Sequence, residues 1–286
     1  MFLKRAEIPV VWLLVALVAA GPAVRAERTL AGARGAASGL AACRGDLLSN
    51  GFFDPEHLDS THNAFVMALL ASDAYPATLL PGQTNAKYSA PRYQAAVRAR
   101  WAALGARTVA FVDDAAEGQE AHALVAATPR AVFVAFRGTS TTEGWGTNVK
   151  VTPYRIASGH GGRVLQVHSG FLTSFTSIYA GVALEVAKAL EHVVDAPASA
   201  RVYVVGHSLG GAHALLTALA LSDNGATVGG VWAFAAPKVG NQDFVDEYMR
   251  RFGDVTFRYV HGLDVVPTLP PNIPGIEPYV QLPADR

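Results

Sequence analysis

The residues Gly206-His207-Ser208-Leu209-Gly210 set a serine between two glycines, at the point where an apolar run ends and a helical pattern begins. A serine hydroxyl becomes a nucleophile when an oriented base takes its proton. Gly-x-Ser-x-Gly between a strand and a helix prepares the backbone for that step. The tight turn holds the serine in a strained conformation, and side chains on either flank would collide, so Gly206 and Gly210 carry none. The hydroxyl then stands at a helix N-terminus, whose dipole favours developing negative charge. The plainer reading is a chance turn in a chain with 27 glycines, and the flanking strand and helix argue against it. Asp264 is the best candidate for an acid that orients the base. It follows a strand-like run over 257–260, in Val260-His261-Gly262-Leu263-Asp264-Val265-Val266-Pro267. A carboxylate just past a strand's C-terminal end shares an edge with a serine elbow, where open α/β sheets place their sites. A loop-capping aspartate is the competing reading.

These two residues need a scaffold, and the chain supplies the pattern of one. Residues 61–75 are helix-like, with Ala64, Phe65, Ala68, Ala71 and Tyr75 at three- and four-residue spacing. Residues 91–104 read as a second helix, with Pro91 suited to its first turn. Short runs rich in β-branched and aromatic residues follow at 108–112, 121–126, 131–136 and 164–167. A long amphipathic helix is expected over 171–194, and a strand buried on both faces over 201–205. Helix 209–221, strand 230–235, helix 243–252 and strand 255–260 complete the alternation. Strands alternating with helices imply one α/β domain with a mostly parallel sheet and helices on both faces.

Composition narrows the function. The 286 residues hold 23 Lys+Arg against 23 Asp+Glu, so the basic surplus that nucleic-acid binding requires is absent. Hydrophobic residues make up 51% and charged residues 16%, which excludes disorder over most of the length. A single cysteine, Cys43, excludes an intrachain disulfide framework and a cysteine-rich zinc site. No metal or cofactor is expected.

The N-terminus reads as an address. Lys4 and Arg5 precede an apolar run over 8–20, and small residues lead to Val24-Arg25-Ala26, the pattern of a secretory signal over 1–26. The run is short for a membrane span, and no second run of spanning length follows, so a secreted or periplasmic protein without a stable span is expected. An uncleaved anchor is the alternative. Leu40-Ala41-Ala42-Cys43 has the look of a lipid-attachment box. Glu27, Arg28 and Arg34 stand where its apolar stretch should be, and this argues against lipidation. Residues 27–60, rich in Gly and Ala, read as a loosely ordered lead-in, and 61–286 as the folded domain.

Five landmarks in order carry a resemblance. They are Phe136-Arg137-Gly138-Thr139, Val167-His168-Ser169-Gly170-Phe171, the Ser208 elbow, Ala236-Pro237-Lys238-Val239-Gly240-Asn241, and Asp264-Val265-Val266-Pro267-Thr268-Leu269-Pro270-Pro271. Together, over about 64–279, they resemble the class 3, or fungal-type, lipases of the α/β-hydrolase fold. The resemblance implies a serine hydrolase of carboxylic esters, working on acylglycerols at a lipid–water interface through an acyl-enzyme. It implies that Thr139 and the Leu209 N–H form the oxyanion hole, and that 140–149 is the lid with Trp145 as its tryptophan. Gly144 and Gly146 weaken any helix there, so a loose lid and esterase-like behaviour are expected. The chain departs from the family at Ala235-Ala236-Pro237-Lys238, where Gly-x-Pro-Arg is usual.

A second departure concerns the base. The family's histidine follows the acid, and none of the nine histidines here follows Asp264. His207, His261, His168 and His213 are poor substitutes, because reach and orientation come before pKa. An incomplete version of a longer protein is the simplest expectation. A decayed hydrolase, or a histidine recruited from elsewhere, is the alternative. A non-catalytic protein of the same fold that binds lipid or another protein is the competing function, and peptidase activity a weaker third.

Overall fold

The strand that carries the elbow is built from Val202, Tyr203, Val204 and Val205, and it is buried along nearly all its length. Such a segment is stable only in the middle of a sheet with both faces covered. In the computed structural model, which describes residues 53–76, 90–114, 121–139, 152–157 and 164–283, it occupies that place.

The elements in chain order are α1 (Thr61–Asp73), α2 (Pro91–Ala103), β1 (Thr108–Asp113), β2 (His122–Ala127), β3 (Ala131–Phe136), β4 (Pro153–Ala157), β5 (Val164–His168), α3 (Ser169–His192), β6 (Arg201–His207), α4 (Leu209–Asp223), β7 (Val228–Phe234), α5 (Gln242–Phe252) and β8 (Thr256–Tyr259). Six strands form one sheet in the order β1-β2-β3-β6-β7-β8. The first three strands pair antiparallel, and β3, β6, β7 and β8 run parallel. A separate antiparallel pair, β4 with β5, leads into α3. β4 is an addition to the sequence reading. Its residues Pro-Tyr-Arg-Ile-Ala are largely exposed and carry no alternation to betray a strand.

Alternation along the strands divides the core in two. Val132, Val134, Phe136, Val202, Val204, Val231 and Ala233 face α3, α4 and α5. Phe133, Tyr203, Val205, Trp232 and Phe234 point to the other face, beneath α1 and α2. Among the described residues that second face has fewer helices and larger rings. Phe53 packs against Phe133, Tyr203 and Trp232 at centroid separations of 5.4, 4.5 and 5.8 Å. The lead-in expected to run to Ser60 is therefore corrected over its last residues. Phe53 is wedged into the ring cluster, and Asn63 Nδ2 donates to Asp54 O at 2.6 Å and to His57 O at 2.9 Å. Residues 1–52, with the signal-like stretch and Cys43, lie outside the described residues. Buried Asp73 accepts from Arg100, and Tyr93 Oη donates to Asp73 O at 2.6 Å, joining α1 to α2.

Among the described residues only α3 has the length and apolarity of a membrane span. It packs Phe171, Phe175, Ile178, Val182 and Val186 into the core, which accounts for its composition.

Candidate active site

Ser208 ends β6 and opens α4 with φ 58° and ψ −125°, a conformation that costs an L-residue energy and persists only where its surroundings dictate it. The surroundings are backbone. A Cβ on Gly206 would lie 1.9 Å from Gly210 O, and one on Gly210 would lie 2.5 Å from Phe136 O. The Ser208 amide donates to Phe234 O at 2.9 Å, and Gly211 N donates back to Ser208 O at 2.9 Å. Ser208 is only 9% exposed.

The turn after β3 lies against this elbow. A Cβ on Gly138 would meet His207 O at 2.6 Å and Ser208 Cβ at 3.0 Å, so Gly138 passes directly over the serine and Thr139 follows it, half-buried. Leu209, also half-buried, is the first residue of α4. Gly138 N donates to Tyr75 Oη at 2.8 Å, and that hydroxyl lies 2.9 Å from His207 Nδ1. Burial pushes the Tyr75 phenol up, against the opposing pull of the Gly138 amide and the Arg137 charge.

Asp264 lies in the loop that follows β8. The Ala235 amide donates to Tyr259 O at 2.8 Å, and the Ser208 amide to Phe234 O, so the ends of β8, β7 and β6 are stepped together by main-chain bonds. The structure thus brings Thr139, Ser208 and Asp264 to one edge of the sheet, at the C-terminal ends of β3, β6 and β8. Asp264 is half-buried; its Oδ1 accepts from Val266 N at 3.0 Å, and its own amide donates to His261 O at 2.9 Å. Gln281 Nε2 donates to both Ala236 O and Pro267 O at 2.9 Å, clamping the acid loop to the turn after β7. Trp145 and the expected lid over 140–149 lie outside the described residues.

Three of the histidines weighed as substitutes for the base are engaged elsewhere. His207 bonds Tyr75, and burial holds it down at about 4. His168 caps α3, its Nδ1 accepting from Phe171 N at 3.3 Å, and it stacks on the Phe171 ring at 4.1 Å; burial lowers it to about 4. His213 faces the sheet edge-on to Phe136 at 5.7 Å, fully buried and lowered to about 3. His261 is exposed in the acid loop, just beyond the end of β8.

Among the described residues no three His, Cys, Asp or Glu side chains gather where they could hold a metal ion. A cavity of about 560 Å³ lies beside the edge strand β1, lined by Arg98, Arg107, Glu185, Lys188 and His192, and not by the elbow or acid loop. Its charges are paired in part, Lys188 with Glu185 at 2.7 Å and Arg107 with Asp195, outside the lining, at 2.5 Å.

Sequence reasoning missed Tyr75 and Gln281 as parts of this site. Tyr75 fitted a helix-face pattern, and its partners lie 63 and 132 residues away. Gln281 sat in a run, Tyr279-Val280-Gln281-Leu282, that reads as a strand. In the structure this run makes a single bridge, Val280 to Gly240, and the Gln281 side chain bonds Ala236 O and Pro267 O.

The class 3 lipase family model matches residues 133–273, from β3 past Asp264 and through all five landmarks. Over those residues the chain resembles the class 3 lipases. The span is narrower than the 64–279 expected. A lipase of Rhizomucor miehei is 34% identical over 148 residues, covering 50% of this chain and 38% of its own. A secreted mono- and diacylglycerol lipase of Fusarium solani is 31% identical over 146 residues, covering 50% of this chain and 40% of its own. A solved triacylglycerol lipase, whose catalytic centre is a serine protease triad, superposes with TM-score 0.56 at 23% identity, covering 74% of this chain and 76% of that one. The last likeness fixes the α/β-hydrolase fold. The chain spans about two fifths of the length of the curated class 3 relatives it matches.

Proposed function

We propose that this chain carries the site of a secreted serine hydrolase that cleaves carboxylic esters, with acylglycerols as substrates. The observation that carries the reading is the strained Ser208 elbow with the Gly138-Thr139 turn seated against it, inside the class 3 match. Ser208 Oγ attacks the ester carbonyl while a histidine takes its proton. The Thr139 donor and the Leu209 N–H hold the oxyanion, a contribution of about 3–4 kcal/mol per donor in comparable sites. The intermediate collapses with cleavage of the acyl carbon–oxygen bond, the alcohol leaves with the proton, and water then releases the acid from the acyl-enzyme. Asp264 orients the histidine. Two strand spacings separate β6 from β8, about 10 Å, which leaves room for one imidazole between hydroxyl and carboxylate. Export is supported by the signal-like pattern over 1–26 and by relatives named as secreted.

The test is labelling by a fluorophosphonate together with hydrolysis of short p-nitrophenyl esters by the natural protein. Modification confined to Ser208, and loss of hydrolysis in Ser208→Ala, are expected; hydrolysis that survives Ser208→Ala overturns the assignment. A second reading, a lipid- or protein-binding member of the fold, draws on the engagement of His168, His207 and His213 elsewhere. It gains if Ser208 stays unlabelled while lipid or protein is bound.

A further inference from the structure

The parallel ladder between β3 and β6 runs as far as Phe136 and Gly206. The residues proposed for chemistry come just after it, on two turns that this ladder no longer pairs with each other. Oxyanion donors act only when fixed to within about 0.5 Å of the productive geometry, so something must hold those turns at a set spacing.

We propose that Tyr75 is a positioning residue, a rung that continues the ladder past its end and fixes the Gly138-Thr139 turn against the Ser208 elbow. This rests on the hydrolase reading above. Its hydroxyl takes the Gly138 N–H at 2.8 Å from one turn and bonds His207 Nδ1 at 2.9 Å on the other. The two rings meet at 5.9 Å and 60°. The fit is close on every side: a Cβ at Gly138 would come within 2.6 Å of the Tyr75 hydroxyl, as near as to His207 O. Tyr75 enters from beyond the end of α1 and is itself held there, its amide donating to Ser72 O at 3.0 Å. At 8% exposure it has little water to compete for the hydroxyl. Burial keeps both partners uncharged at neutral pH, raising the phenol and lowering His207 to about 4, so the link does not loosen by titration above about pH 5.

The experiment is saturation kinetics of fluorophosphonate labelling at Ser208 in the full chain, comparing wild type, Tyr75→Phe, Thr139→Val and the double variant. Tyr75→Phe keeps the ring and removes the bonds. We expect its limiting labelling rate to fall about 10-fold or more, with half-saturation concentration within twofold of wild type, and its melting temperature to drop by a few degrees because two buried hydrogen bonds are lost. A loss of stability alone would lower the melting temperature and leave the limiting labelling rate of the folded chain at the wild-type value. Because the residue acts through the turn that carries Thr139, the double variant should be little slower than Thr139→Val alone. Wild-type labelling rates in Tyr75→Phe, or losses that multiply in the double variant, overturn this inference and leave the hydrolase reading standing. A wild-type chain that does not label at all overturns the hydrolase reading, and this inference with it. Should Tyr75→Phe fail to fold, His207→Leu, which cuts the other arm of the link, is read by the same criteria.

Discussion

At the end of β6 the chain around Ser208 is fixed by backbone packed on backbone, with glycines where any side chain would collide. At the end of β8 the chain around Asp264 is held by side-chain hydrogen bonds and stands open: Leu263 is 98% exposed and Val265 66%. Both residues sit on one edge of one sheet. A nucleophile must be displayed at a single angle, and close packing with a strained φ fixes that angle without any partner. On the proposed reading Asp264 only orients another group, a role that tolerates a softer mount. The difference predicts where the molecule breaks first when either mount is disturbed.

The largest effect should come from Gly206→Ala. The new methyl carbon would fall 1.9 Å from Gly210 O and 2.8 Å from Gly211 N, both backbone atoms that cannot rotate away. We expect a cost above about 4 kcal/mol and failure to fold cooperatively, read by urea denaturation and near-UV circular dichroism. The matching change in the acid loop is Gly262→Ala. Gly262 has φ 48°, but a Cβ there meets nothing within 4 Å, so only the dihedral penalty of about 1–2 kcal/mol applies. Equal costs at the two glycines would break the comparison.

Acid should act chiefly on the elbow side. His207 lies in the elbow and His213 in α4 behind it, while His168 caps α3, and burial lowers them to about 4, 3 and 4. The unfolded chain binds these protons below its ordinary value of about 6.5, whereas the folded chain refuses them until about pH 4. Stability is therefore complete above about pH 6.5 and is lost as pH falls through the window down to about 4. Each histidine contributes a slope of up to about 1.4 kcal/mol per pH unit there. Urea midpoints at pH 7.5, 6.5, 5.5 and 4.5 should drop steeply only below the second. His213→Leu, which replaces an imidazole with no ring-nitrogen partner among the described residues, should flatten the slope by about a third. A profile that is flat to pH 4.5 would count against buried neutral histidines.

Gln281→Ala sharpens the other half of the comparison. It removes both bonds of the clamp on Ala236 O and Pro267 O, and should cost about 1–2 kcal/mol. The loss should be local. Hydrogen exchange at the amides of Asp264 and Val266 should speed up while that of Ser208 and Gly211 stays as in wild type. Uniform acceleration would mean that the two mounts are one cooperative unit.

How much of this could be read in the sequence follows the range of the interactions concerned. The elbow was legible because the turn imposes its requirement on residues two positions away, and β6 because burial on both faces leaves a continuous apolar run. β4 was not: it begins with Pro153, is mostly exposed, and exists only because β5 lies beside it. The antiparallel start of the sheet is set by the short turn Thr128-Pro129-Arg130, whose Thr128 Oγ1 accepts from Arg130 N at 3.3 Å and Ala131 N at 3.1 Å. Alternation gives strands but not their direction. The place of Asp264 just past β8 was legible from the strand-like run before it, while its role as the acid rests on the motif alone. Tyr75 and Gln281 act across long separations through a single polar atom each, and no local pattern marks such a residue.

The smallest effect concerns the one non-glycine residue, besides Ser208, that the described chain holds at positive φ. Ala235 has φ 51° just after β7, between the two mounts, at the position where class 3 lipases usually carry glycine. Its amide is committed to Tyr259 O at 2.8 Å, so the backbone cannot relax without releasing β8 from β7. A left-handed conformation costs an L-residue about 1–2 kcal/mol. Burial of the Ala235 methyl, at 2% exposure, returns about 0.8 kcal/mol. Ala235→Gly should therefore stabilise the fold by about 0.5 kcal/mol, read as a small rise in urea midpoint at unchanged m-value. Because this residue joins the rigid elbow to the soft acid loop, the sign of the change is informative. A gain means that the strain at Ala235 is only tolerated by the packing around it. A loss of about 1 kcal/mol or more would mean that the methyl is itself part of the elbow's close packing, and that the rigid mount extends one strand further toward Asp264 than the comparison assigns it.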